Sequence, residues 1–100
     1  MRGVFDIEAN GLLDTVSQIH CIVIKDADAN INYRYRSDDT VMTIDKGLDH
    51  LERCSTLIAH NGLDYDLRAI KKLYPKFNFK GKFIDTIILA KLVSGDLKIS

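Results

Sequence analysis

The 100-residue sequence predicts an α/β layer fold on a mixed sheet. Three observations lead there. Residues 3–36 hold three β-rich runs joined by connections too short for parallel crossovers, so they pair as an antiparallel meander. Residues 44–93 then alternate helical and extended patterns, which lays helices against a partly parallel sheet. The hydrophobic share of 46% beside a charged share of 28% suits one modest core in one soluble domain.

Each element has its own signal. GVFDIEAN is a first strand that ends in the turn formers Asn10 and Gly11. Ser17 to Lys25 (SQIHCIVIK) is rich in β-branched residues and reads as a buried second strand. Asp26 to Asn30 (DADAN) supplies a turn, and INYRYR is the third strand. Ile44 to Arg53 is weakly amphipathic and predicts a helix. TLIAH is a short interior strand leading through His60, Asn61 and Gly62 into a helix from Leu63 to Tyr74, which stops before Pro75. KFIDTIILAKLV is an extended run followed by a helix, with Asp85 or Thr86 as its N-cap. Tyr33, Tyr35, Phe77 and Phe79 alternate at strand spacing and pack against sheet faces. There is no internal repeat, low-complexity tract or linker.

Several function classes fall away early. No apolar run approaches the roughly 18 residues of a membrane span, and the N-terminus lacks the pattern of a signal peptide. Cys21 and Cys54 have neither CxxC nor zinc-ligand spacing, which predicts buried free thiols and a cytoplasmic setting. The formal net charge is zero, yet residues 1–50 carry −4 (five Lys/Arg, nine Asp/Glu) and residues 51–100 carry +4 (nine and five). Arg68, Lys71, Lys72, Lys76, Lys80 and Lys82 form a basic stretch. It is either a phosphate-holding patch or the wet side of a helix and its following loop.

The chemistry concentrates in carboxylates. Asp6 and Glu8 lie two apart on a strand and so point to one face, opposite Phe5 and Ile7. Side by side they repel, and either a solvated face or a cation accommodates them. On a helical wheel begun at Leu63, Leu67, Ile70 and Tyr74 define the packed stripe, and Asp66 lies about 60° from its centre, at the buried edge. Asp64 lies about 100° away, beside Arg68, on the solvent side. An inward Asp66 together with Asp6 and Glu8 makes a possible acidic cluster suited to magnesium or manganese. The competing reading keeps Asp6 and Glu8 in water and satisfies Asp66 by backbone or lysine. The histidines look structural: His60 at the turn, His20 in a strand, His50 in solvent.

FDIEAN, then HNGLDYDL some fifty residues later, then FIDTIILAKL resemble the 3′–5′ proofreading exonuclease domain of family A DNA polymerases, nearest to those of short-tailed bacteriophages. The resemblance runs over essentially the whole chain. It implies a ribonuclease H-like fold and the four-acid (DEDD) site that holds two divalent cations, Mg2+ or Mn2+. By motif, Asp6 and Glu8 match the first acidic pair and Asp66 the acid of the second motif, so these three are the expected catalytic and metal-binding residues. Asn61, Tyr65 and Leu12 match substrate-binding positions, with Leu12 pressing on the terminal base or, like Leu13, serving the core. The implied substrate is a single-stranded DNA 3′ end, hydrolysed in a bacterial or phage-infected cell.

The third motif of that family, Tyr-x-x-x-Asp, is missing from these residues, as is a polymerase module. Asp96 has neither its context nor its spacing. The expectation is therefore a single exonuclease-like domain, C-terminally incomplete and weakly active or inactive alone. The remaining exonuclease–polymerase portion, another polypeptide or self-association would complete it. A noncatalytic DNA- or protein-binding module on the same scaffold is the competing function, and a ribonuclease the third.

Overall fold

A computed structural model describes residues 1–60 and 65–86. Five strands and two helices follow one another as β1 (Arg2–Ala9), β2 (Ile19–Asp26), β3 (Ile31–Arg36), α1 (Ile44–Arg53), β4 (Thr56–Ala59), α2 (Asp66–Leu73) and β5 (Lys82–Asp85). The sheet order is β3-β2-β1-β4-β5. β1, β2 and β3 form the expected antiparallel meander, while β4 pairs parallel to β1 and β5 parallel to β4. The mixed α/β architecture is thus the one the sequence predicts.

Alternation along β1 buries Gly3, Phe5 and Ile7 and leaves Val4, Asp6 and Glu8 exposed. Opposite them, the apolar pattern of β2 changes parity at His20. A bulge resolves it: Glu8 pairs with Cys21, Ala9 pairs with Ile19, and His20 is the extra residue. Without that bulge His20 would take the inward place opposite Ala9, because a one-residue slip exchanges the two faces of a strand. β2 also starts at Ile19 rather than Ser17. The Asn10 side chain explains this, since its Oδ1 accepts the Ser17 and Gln18 N–H groups at 2.9 and 3.0 Å and holds both residues in the preceding loop.

α1 has the boundaries its pattern predicts. Thr43 caps it by accepting the Lys46 N–H at 3.3 Å, and Cys54 N–H closes the other end on the Leu51 carbonyl at 3.2 Å. The helix buries Ile44, Leu48 and Leu51 against Ile22 and Ile24, in the same core that receives Leu57, Ala69 and Ile70. α2 begins at Asp66; Leu63, Asp64 and the expected Asp64–Arg68 pair lie outside the described residues, as does the helix expected after β5. An N-cap role for Asp85 or Thr86 depends on those same residues.

Three expectations need correction. His50 is not solvated but 4% exposed. It shares a 2.6 Å hydrogen bond with the Tyr35 hydroxyl and stands edge-on to Tyr33 and Tyr35. The neighbouring Gly47 makes this possible, because a Cβ there would meet Tyr35 Cβ and Cγ at 3.0 Å. Cys54 is buried as expected, but Cys21 is half-exposed, standing on the outer face beside Glu8. Phe77 and Phe79 pack against the core from an irregular segment, not from a strand.

Candidate acidic site where the parallel strands end

β1, β4 and β5 run parallel, so their carboxyl ends open on one side of the sheet, where α/β folds commonly place ligands. β1 brings Asp6 and Glu8 there. β4 ends at Ala59 and is followed by His60, and β5 ends at Asp85, paired in register with Ala59. His60 Nδ1 and Thr86 Oγ1 lie 2.9 Å apart and tie the last two strand ends together.

The β1–β4 ladder covers only Arg2–Val4 against Thr56–Ile58. Further along β1 a backbone group therefore faces a gap left by the short β4. α2 fills it: the Ile7 N–H donates to the Asp66 carboxylate. Asp66 points inward, as the helical wheel predicts, and is 8% exposed. Burial first, then the negative charge of Asp6 and then that of Asp85, push the Asp66 carboxyl up from 3.8 to about 6, against the lowering effect of the Ile7 bond. Asp6 and Asp66 thus meet electrostatically, although one comes from the outer face of a strand and the other from a helix.

Glu8 shares the face of Asp6, opposite Cys21, but is not among the charges that act on Asp66. Asp85 is. At 6% exposure it stands behind the pair as a carboxylate that sequence reasoning assigned only to capping. Its signal was available: an acidic residue closing an apolar strand in the parallel half of the sheet. Among the described residues no three His, Cys, Asp or Glu side chains are gathered into a ready metal-ligand set. The chemistry of Asp6 and Asp66 nevertheless fits a hard divalent cation, for both are oxygen donors whose mutual repulsion a cation relieves.

Two of the three expected substrate contacts are described. Leu12, in the β1–β2 loop, is 77% exposed. Tyr65 is half-buried and its hydroxyl donates to the Gly11 carbonyl at 2.5 Å. Asn61 lies outside the described residues. Of the basic stretch, two side chains are committed to backbone carbonyls: Lys71 Nζ donates to Phe77 at 2.8 Å, and Lys72 Nζ donates to Leu13 and Asp14 at 2.9 and 3.1 Å. These two lysines close loops in the structure.

The RNase H superfamily model matches residues 4–97. This chain belongs to the RNase H superfamily. It is 35% identical over 102 aligned residues to the DNA-directed DNA polymerase of Escherichia phage T7, and equally to that of Enterobacteria phage T3. Each alignment covers 95% of this chain and 14% of the polymerase, so the chain spans about one seventh of the length of these relatives. Among solved structures, the family B DNA polymerase from the archaeon Pyrobaculum calidifontis matches with a TM-score of 0.57 and 13% identity, over 74% of this chain and 11% of that one. That likeness concerns the fold. The RNase H-like chain is thus similar to one part of much larger polymerases. Among its described residues no helix is long and apolar enough to cross a membrane.

Proposed function

We propose that this chain forms the first part of a 3′–5′ exonuclease belonging to a DNA polymerase, and that it acts on single-stranded DNA ends. The observation that carries this reading is the placement of Asp66 against Asp6, with its carboxyl pushed to about 6. A fold gains no stability by burying Asp66 against the charge of Asp6, whereas a cation-binding site brings such carboxylates together. Asp6, Glu8 and Asp66 would hold the divalent cations, Mg2+ or Mn2+, with a further carboxylate supplied by polypeptide outside these residues. Such cations, when bound, polarise a phosphodiester and lower the pKa of an attacking water.

The chain's own residues do the rest. The Ile7 N–H favours the ionised form of the Asp66 carboxyl. Exposed Leu12 offers an apolar surface to an unpaired terminal base, the kind of contact that tolerates any sequence. A noncatalytic DNA-binding role is the second reading, favoured by the lack of a gathered three-acid set among the described residues.

A 5′-labelled single-stranded oligonucleotide with manganese tests the proposal, given to this chain with and without the polypeptide encoded downstream. The expected result is a ladder shortened one nucleotide at a time from the 3′ end in the complemented reaction, abolished by Asp6→Ala and by Asp66→Ala. Equal shortening by Asp6→Ala refutes it. DNA binding that survives with no cleavage in any combination supports the second reading. Faster cleavage of an RNA oligonucleotide refutes the DNA assignment.

A further inference from the structure

The β1–β2 loop is built to hold one apolar side chain in water. Asn10 ties its base, with Nδ2 donating to Ser17 Oγ at 2.7 Å beside its two backbone bonds. Val16 is buried and Leu13 packs on the core. Between them the Leu12 carbonyl accepts the Thr15 and Val16 N–H groups at 3.0 and 2.7 Å, which fixes the Leu12 backbone while its side chain stays out. Folding alone gives no reason to order a leucine in that position.

The loop is also gripped from outside. Tyr65 donates to the Gly11 carbonyl on one side of Leu12, and Lys72 donates to the Leu13 and Asp14 carbonyls on the other. Tyr65, the residue that precedes α2, and Lys72 are seven positions apart, about 10 Å along the helix axis. The three steps from Gly11 to Asp14 span at most about 10 Å, so the two donors match the stretch they hold.

We propose that Lys72, acting with Tyr65, is a positioning residue: α2 clasps the β1–β2 loop on both sides of Leu12 and sets where that side chain meets a terminal base. This deepens the exonuclease reading and rests on it for the role of Leu12. It also gives Lys72 a task other than phosphate binding, because its ammonium already serves two carbonyls. α2 carries Asp66 at its start, so the helix that places the acid also places the base contact.

Two measurements on the 100-residue chain test the clasp. The first is amide exchange by NMR at Thr15 and Val16, whose N–H groups report the Leu12 carbonyl. Lys72→Met should speed their exchange on the order of tenfold, the effect of losing a hydrogen bond to a charged group. Tyr65→Phe should act in the same direction, and the β2–β3 amides and the thermal midpoint should stay unchanged. Unchanged exchange at Thr15 and Val16 overturns the clasp without touching the exonuclease reading.

The second is stacking on an oligonucleotide ending in 3′-terminal 2-aminopurine, compared among Leu12→Ala, Lys72→Met and the double variant. The expected pattern is a loss of stacking in both single variants with no further loss in the double. A Lys72→Met effect that persists undiminished beside Leu12→Ala overturns the proposal in favour of a phosphate contact. Wild-type stacking in Leu12→Ala refutes the role given to Leu12, and the positioning with it, whatever the exchange rates.

Discussion

Replacing Asp66 by asparagine removes a buried charge and keeps an oxygen for the Ile7 N–H. In the folded chain this carboxyl titrates at about 6, against 3.8 when unperturbed, so folding favours its protonated form. That preference is fully expressed below pH 3.8 and is lost as pH rises through about 6. Above that pH the folded chain carries an ionised carboxylate at a cost of about 3 kcal/mol. Asp66→Asn should therefore be the more stable protein at about pH 8, by about 3 kcal/mol or roughly 10–20 °C in thermal midpoint. The two proteins should converge as pH falls toward 3.8. Millimolar magnesium should raise the wild-type midpoint at about pH 8 and leave Asp66→Asn unmoved, because the cation offsets only a charge that is present. Thermal melts followed by circular dichroism across that pH range read all three effects. A variant no more stable than wild type at about pH 8, or a difference that ignores pH, would show that Asp66 is not held against other negative charge.

Gly47→Ala should destabilise the fold by about 1–2 kcal/mol in urea melts: the new Cβ meets Tyr35 at 3.0 Å and Ile22 Cδ1 at 3.1 Å, and the clash outweighs the gain in helix propensity. Leu57→Ala, at a fully buried position on β4, should cost about 2–5 kcal/mol in the same melts. Burial holds the His50 imidazole below its usual 6.5, with the nearby Arg53 charge acting in the same direction and Asp26 opposing. Its ring signals should titrate below 6.5 by NMR, and the stability tied to its neutral form should be complete above 6.5 and lost as pH falls below it.

The residues themselves fixed much of this protein. Period-two alternation set which face of β1 carries Asp6 and Glu8, and the 3.6-residue period turned Asp66 inward. Both are local consequences of backbone geometry, so a linear reading suffices for them, and the α/β class follows from short connections and alternating elements. Where the apolar pattern and the chemistry disagree, local reading fails. His50 is polar, yet Gly47 lets Tyr35 approach and the ring is drawn under two tyrosines. The parity change at His20 is visible in the sequence, but only pairing with β1 converts it into a bulge.

The tertiary structure decided which charges act on one another. Asp85 reaches Asp66 because β4 stops at Ala59 and β5 lies beside it, and Lys72 of α2 reaches the Leu13 and Asp14 carbonyls of the β1–β2 loop. Such relations join residues from 19 to 59 positions apart. They depend on strand order and on where each strand stops, and no local periodicity encodes either.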